Sequence, residues 1–98
     1  MSAYEGIKAV LESPELLEKL AAIEHERWAH WQQYMHDHCK AADDGSLVIP
    51  AELAQRWQAQ IDTRYADLSG MEKDSDREQV QRYLPTIVAA VERAIDAR

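Results

Sequence analysis

Apolar residues recur at three- and four-residue spacing along most of the chain, a pattern that predicts helices. A short first helix is expected from about Ala3 to Glu12. Ser13 follows as an N-cap, with Pro14 at the first position of a second helix. That helix is expected to run to about Ala42, with Leu16, Leu20, Ile23, Trp31 and Tyr34 on one stripe. Asp43-Asp44-Gly45-Ser46 ends it with turn chemistry. Leu47, Val48 and Ile49 predict a short extended piece. Pro50 opens a third helix carrying Leu53, Trp57 and Ile61. Asp62 to Leu68 is a connection. Ser69 to Glu72 and Ser75 to Glu78 each fit a capping box. The first predicts one helical turn and the second a long final helix with Val80, Leu84, Ile87, Val91 and Ile95 on its apolar stripe. Pro85, inside that helix, is expected to kink or split it. The fold class is therefore all-α, with about four helices, two of them long, in a single domain over 1–98.

Polar residues intrude on the apolar faces. On a wheel centred at Leu20, the residues Leu16, Leu17, Ile23, Trp28, Trp31, Tyr34 and Met35 lie within about 80°. Glu24, Arg27 and His38 fall in the same stripe, Arg27 only about 20° from its centre. A buried guanidinium is costly, so Arg27 requires carboxylate partners, an anionic ligand or a route to water. Extending the apolar stripe of the final helix backwards places Lys73, Asp76 and Arg77 on it. Packing the two long helices together would gather Glu24, Arg27, Lys73, Asp76 and Arg77 at one end of the core. A buried ion-pair network and a ligand site both fit that arrangement. Trp28, Trp31 and Trp57 fit either a core or a stacking wall for a planar ligand.

Charge narrows the function classes. Across 98 residues, 11 Lys and Arg face 18 Asp and Glu, a net charge of −7. This disfavours direct binding to nucleic acid and docking on anionic membranes, both of which need basic clusters. No apolar run approaches a membrane span, and the first residues are not a secretory signal. Cys39 is the only cysteine, so the reading is a cytoplasmic protein without an internal disulfide. Three Trp and four Tyr occur without any Phe, so every aromatic carries a polar handle.

Catalytic patterns are weak. His25-Glu26-Arg27-Trp28-Ala29 lacks the second histidine of a His-Glu-x-x-His zinc motif. His25, His30, His36 and His38 do not share a face suited to a metal, so no metal and no cofactor is expected. His36-Asp37 resembles one fragment of a metal-dependent phosphohydrolase site, but no second histidine-bearing segment completes it. Glu15-Leu16-Leu17-Glu18 matches half of the Mg²⁺ site of all-α nucleotide pyrophosphohydrolases, and the other half is not evident. No nucleophile has an evident base, so no catalytic residue is assigned.

Two segments carry a resemblance. Ile23-Glu24-His25-Glu26-Arg27-Trp28 contains a His-Glu-x-Trp element in His25, Glu26 and Trp28. Tyr65 to Val80 contains an aromatic, then Leu-Ser, a basic residue and an Asp-Arg pair, in Tyr65, Leu68, Lys73, Asp76 and Arg77. Together they resemble the RyR domain, a repeat named after ryanodine receptors and present in bacterial and phage proteins. The resemblance covers about 30 residues. The family's Gly-Trp-x-Tyr-Gly turn and His-Pro segment have no counterpart here. The resemblance implies a small non-enzymatic helical module in receptor or sensor settings.

The expected site follows from both lines of reasoning. Arg27, Lys73 and Arg77 would neutralise a small anionic ligand, a nucleotide-derived signal being one candidate. Trp28, Trp31 and Tyr65 would wall it, and Glu24 and Asp76 would orient the guanidinium groups. A protein partner, a second copy included, is the other expected occupant. The alternatives are an acidic inhibitor that mimics nucleic-acid charge and a Mg²⁺-dependent pyrophosphohydrolase using Glu15 and Glu18.

Overall fold

The computed structural model describes residues 2–97. The chain is all-α: helices α1 (Ala3–Leu11), α2 (Pro14–His38), α3 (Ala51–Asp62) and α4 (Gly70–Asp96) account for most of it. Two short strands, β1 (Lys40–Ala41) and β2 (Leu47–Val48), and a 3₁₀ turn at Tyr65–Asp67 complete the order. Among the described residues no helix is long and apolar enough to cross a membrane.

Local chemistry explains most boundaries. Ser2 caps α1 by accepting the Glu5 N–H at 3.1 Å. Ser13 serves two helices at once. Its Oγ donates to the Val10 carbonyl at 2.8 Å and accepts the Leu16 N–H at 3.2 Å. Pro14 then occupies the first helical position, where its missing N–H costs nothing. At α4 the capping box is reciprocal: Glu72 N–H donates to Ser69 Oγ, and Ser69 N–H donates to Glu72 Oε1, both at 3.2 Å.

Three sequence expectations change. α2 stops at His38 rather than near Ala42, because the next residues pair in a hairpin, Lys40 against Val48 and Ala41 against Leu47. Its turn is held by Asp44 Oδ1, which accepts from Ser46 N–H at 3.0 Å, and by Gly45 at φ 87°. That φ is one that L side chains avoid. Ser75 does not begin a helix. The box at Ser69 already starts α4, and no breaker follows it until Pro85. Nor does Pro85 split the helix, which continues through it to Asp96.

The chain divides into two compact units. One comprises residues 2–27 and 76–97, and there Leu16, Ala90 and Ala94 are the buried residues among those described. Val80, Leu84 and Ile95, expected in the core, stand about half exposed. The buried side of α4 is instead the adjacent face with Ala90 and Ala94. The other unit, 28–75, has no fully buried residue among those described. Leu53 and Trp57 are half-buried there, whereas Ile61, the third residue of the predicted stripe, is 74% exposed.

Ser13→Ala removes the bond to Leu16 N–H and the bond to Val10. It is expected to cost about 1 kcal/mol, lowering Tm by roughly 4–8 °C. Thermal denaturation followed by circular dichroism measures this. An unchanged Tm would mean that the junction of α1 and α2 does not depend on the cap.

Candidate functional site

The first unit resolves the Arg27 problem locally. Glu24 and Arg27 lie one turn apart on α2, so their side chains meet without help from another element. The guanidinium grips the carboxylate through two bonds, Nε to Oε2 at 3.1 Å and Nη2 to Oε1. Tyr83 on α4 adds its hydroxyl to Glu24 Oε2. The result is a triad of Glu24, Arg27 and Tyr83. Both charged side chains keep nearly half their surface in water, 41% for Arg27 and 48% for Glu24. The expected burial of Arg27 is thus corrected. It has both a carboxylate partner and a route to solvent, so no anion is needed to balance it.

The electrostatics follow from the geometry. Hydrogen bonds from Arg27 and then Tyr83 hold the Glu24 carboxyl down to about 2, from an ordinary 4.5. The same contact raises Arg27 above its already high value, and the bond to Glu24 raises the Tyr83 phenol. Asp76 and Arg77, also in this unit, are exposed on the early part of α4.

The second unit holds the aromatic residues. Trp31 stacks on Tyr34 with ring centroids 5.3 Å apart and planes 13° apart. Trp57 of α3 meets Trp31 edge-on at 6.0 Å. Tyr34 continues to the His38 ring at 4.1 Å, and His38 Nδ1 lies 2.7 Å from the Tyr34 carbonyl oxygen. These four rings form a ladder, three of them on one face of α2 at spacings of three and four. Trp31 is 40% and Trp28 54% exposed. Tyr65, half exposed, carries the Lys73 ammonium 5.8 Å from its ring centroid. That is a cation–π contact within the unit rather than a cation left open for a ligand. A cleft of about 430 Å³ lies between the end of α3 and the start of α4, lined by Arg56, Gln60, Thr63, Leu68, Met71 and Glu72.

Some of this was visible beforehand. Glu24 with Arg27, and Trp31 with Tyr34, are neighbours by helical spacing alone. Trp57 was legible as one of three tryptophans fitting a core or a stacking wall, whereas nothing in the sequence assigned Tyr83, Tyr34 or His38 to the site. Tyr83 carried one signal, a polar handle one residue before Leu84 and the only aromatic ring on α4. Among the described residues no three His, Cys, Asp or Glu side chains gather in a way that would hold a metal ion. Glu15 and Glu18 are exposed on α2.

Because folding lowers the Glu24 pKa, the triad stabilises the fold above pH 4.5 and loses that contribution progressively as pH falls toward 2. Denaturant titrations across that range are expected to show a smaller acid loss for Glu24→Gln than for the wild type. An identical pH slope in both proteins would show that the triad is not coupled to folding. No family model matches this chain, and no curated protein or solved structure matches it.

Proposed function

We propose that this chain is a non-enzymatic binding module whose occupant is a protein segment bearing apolar and basic side chains. The observation that carries the proposal is the Trp57–Trp31–Tyr34–His38 ladder, set in a unit without a fully buried residue. An aromatic surface of this kind is matched by a partner that finishes covering it, and Trp and Tyr are the residues that dominate such contacts.

Charge supports the choice of partner. Residues 28–75 contain eight acidic and four basic side chains. One of those basic groups, Lys73, already sits over Tyr65. Asp37, Asp43, Asp44 and Asp62 are exposed in the same unit. Lys or Arg on a partner would meet both these carboxylates and the ring faces. A small anion finds the opposite conditions here, and in the other unit Arg27 is held by Glu24. The resemblance to the RyR repeat agrees with a non-enzymatic module and adds no substrate.

Selection from a randomised peptide library against the wild-type protein tests this. Enriched peptides are expected to combine aromatic or aliphatic residues with Lys or Arg. Trp31→Ala is expected to weaken them by about 30-fold, the loss typical of a hot-spot tryptophan, with an unchanged circular dichroism spectrum. Enrichment that survives Trp31→Ala would overturn the proposal. So would a thermal shift with a nucleotide that Arg27→Ala abolishes, which would return the reading to a small anion.

A further inference from the structure

The chain contains one Asp-Gly step, Asp44-Gly45, and no asparagine. Such a step carries its own chemistry. The Gly45 amide nitrogen can attack Asp44 Cγ, forming a C–N bond and a cyclic succinimide. The amide proton and the carboxyl hydroxyl leave as water. Water then opens the ring at either carbonyl, giving back Asp44 or an isomer whose backbone runs through Cβ. Glycine favours the attack because no Cβ obstructs its nitrogen. Asp44, Gly45 and Ser46 are all exposed at the tip of the β1–β2 hairpin, so water reaches them. Beyond its two chain neighbours, no described atom stands within 4 Å of the place a Gly45 side chain would take.

Two restraints oppose the attack in the folded turn. The nucleophile is committed, because Gly45 N–H donates to the Ala42 carbonyl at 3.0 Å. The nitrogen must give up that proton before it can form the new bond. The electrophile is committed as well. Asp44 Oδ1 accepts from Ser46 Oγ at 2.6 Å and from Ser46 N–H at 3.0 Å. Bonds of this kind favour the ionised carboxylate, and they hold the Asp44 carboxyl below its ordinary range. An ionised carboxylate resists the attack, since the departing oxygen leaves as water only from the protonated acid. The same two bonds fix Oδ1 toward residue 46, so the carboxyl group turns toward the nitrogen only by breaking them.

We propose that Asp44–Gly45 is a latent site of backbone isomerisation, held closed in the folded protein by the Ser46 side chain. The isomer adds one main-chain atom to a turn that closes through Gly45 N–H to Ala42 and Ala42 N–H to Ser46. The hairpin has no reserve against that, with only Lys40 paired to Val48 and Ala41 to Leu47. Isomerisation therefore opens the hairpin that follows α2, next to His38 at the end of the aromatic ladder. This chemistry needs no partner and no reagent other than water.

Incubation of the intact chain in mildly acidic buffer tests this. Because the isomer has the mass of the parent, it is read by peptide mapping with electron-transfer fragmentation. Ser46→Ala is expected to accumulate isomer at residue 44 about tenfold faster than the wild type, the effect of losing one hydrogen bond to a charged group. Ser46 is exposed, so the variant is expected to keep its helical circular dichroism. Ser46→Thr retains the hydroxyl and is expected to stay near the wild-type rate. Denaturing urea is expected to bring the wild type and Ser46→Ala to one common, faster rate. Equal rates in the folded wild type and folded Ser46→Ala would overturn the proposal. So would a wild-type rate that urea leaves unchanged, because the folded turn would then give no protection.

Discussion

The first unit is organised by how α4 spends its apolar residues. Its buried positions are alanines, Ala90 and Ala94, while its larger aliphatic residues stand half in water. Alanine lets a neighbouring element approach closely but removes little apolar area from water. A fully buried Leu or Val contributes about 1.5–3 kcal/mol, and an alanine methyl well under that. Beside these two, Leu16 is the only buried residue among those described in this unit. Stability must then come from other terms, and the structure shows two of them. One is capping, through Ser2 and Ser13. The other is the polar bond that ties α2 to α4 through Glu24 and Tyr83.

That bond accounts for the polar residues on the apolar stripe of α2. Glu24 and Arg27 are not a charge pair buried in a core. They form a bidentate contact at its margin, and each side chain satisfies the other one helical turn away. Water screens an exposed pair of this kind, so its own contribution to stability is small. Its structural effect is larger, because the carboxylate it orients is the acceptor for the Tyr83 hydroxyl. Register between the two helices is thereby tied to one direction, something that three small buried contacts specify only loosely. A polar residue on a sequence-predicted apolar stripe was thus a sound signal of something specific, but an internal bond satisfies it.

What the sequence made legible was mostly local. Ser13 with Pro14, Ser69 with Glu72, and Leu47-Val48 as an extended piece are determined by neighbours within four residues, and the structure contains each of them. The end of α2 was misplaced because its cause is nonlocal: Lys40 and Ala41 are drawn into a strand by Leu47 and Val48 across the turn. The buried face of α4 was misplaced for a related reason. Apolar residues cover so wide an arc of that helix that periodicity selects the helix but not the side that faces inward. The choice is made by Ala90 and Ala94, which a hydrophobic stripe drawn through the largest residues passes over. The candidate site shows the same division. Glu24–Arg27 and Trp31–Tyr34 were readable as turn-to-turn neighbours, whereas Tyr83 and Trp57 join them from distant parts of the chain.

The two units expose apolar surface of different kinds, and the difference argues for different occupants. The open residues of α4 in the first unit, Val80, Leu84, Val88 and Ile95, are aliphatic. Such a surface gains little from a charged partner. The surface in residues 28–75 is aromatic and polar-edged, with carboxylates in the same unit and rings on two helices and beyond. Rings of this kind attract cations and accommodate varied side chains, and they discriminate by charge more than by repeat. The net charge of −7 acts differently in the two places. It leaves the aliphatic residues of α4 untouched, because no acidic group lies among them. On the aromatic unit it disfavours anions and favours a basic segment. One acidic, Phe-free composition therefore carries two apolar surfaces of different character, and the position of each charge sets the difference between them.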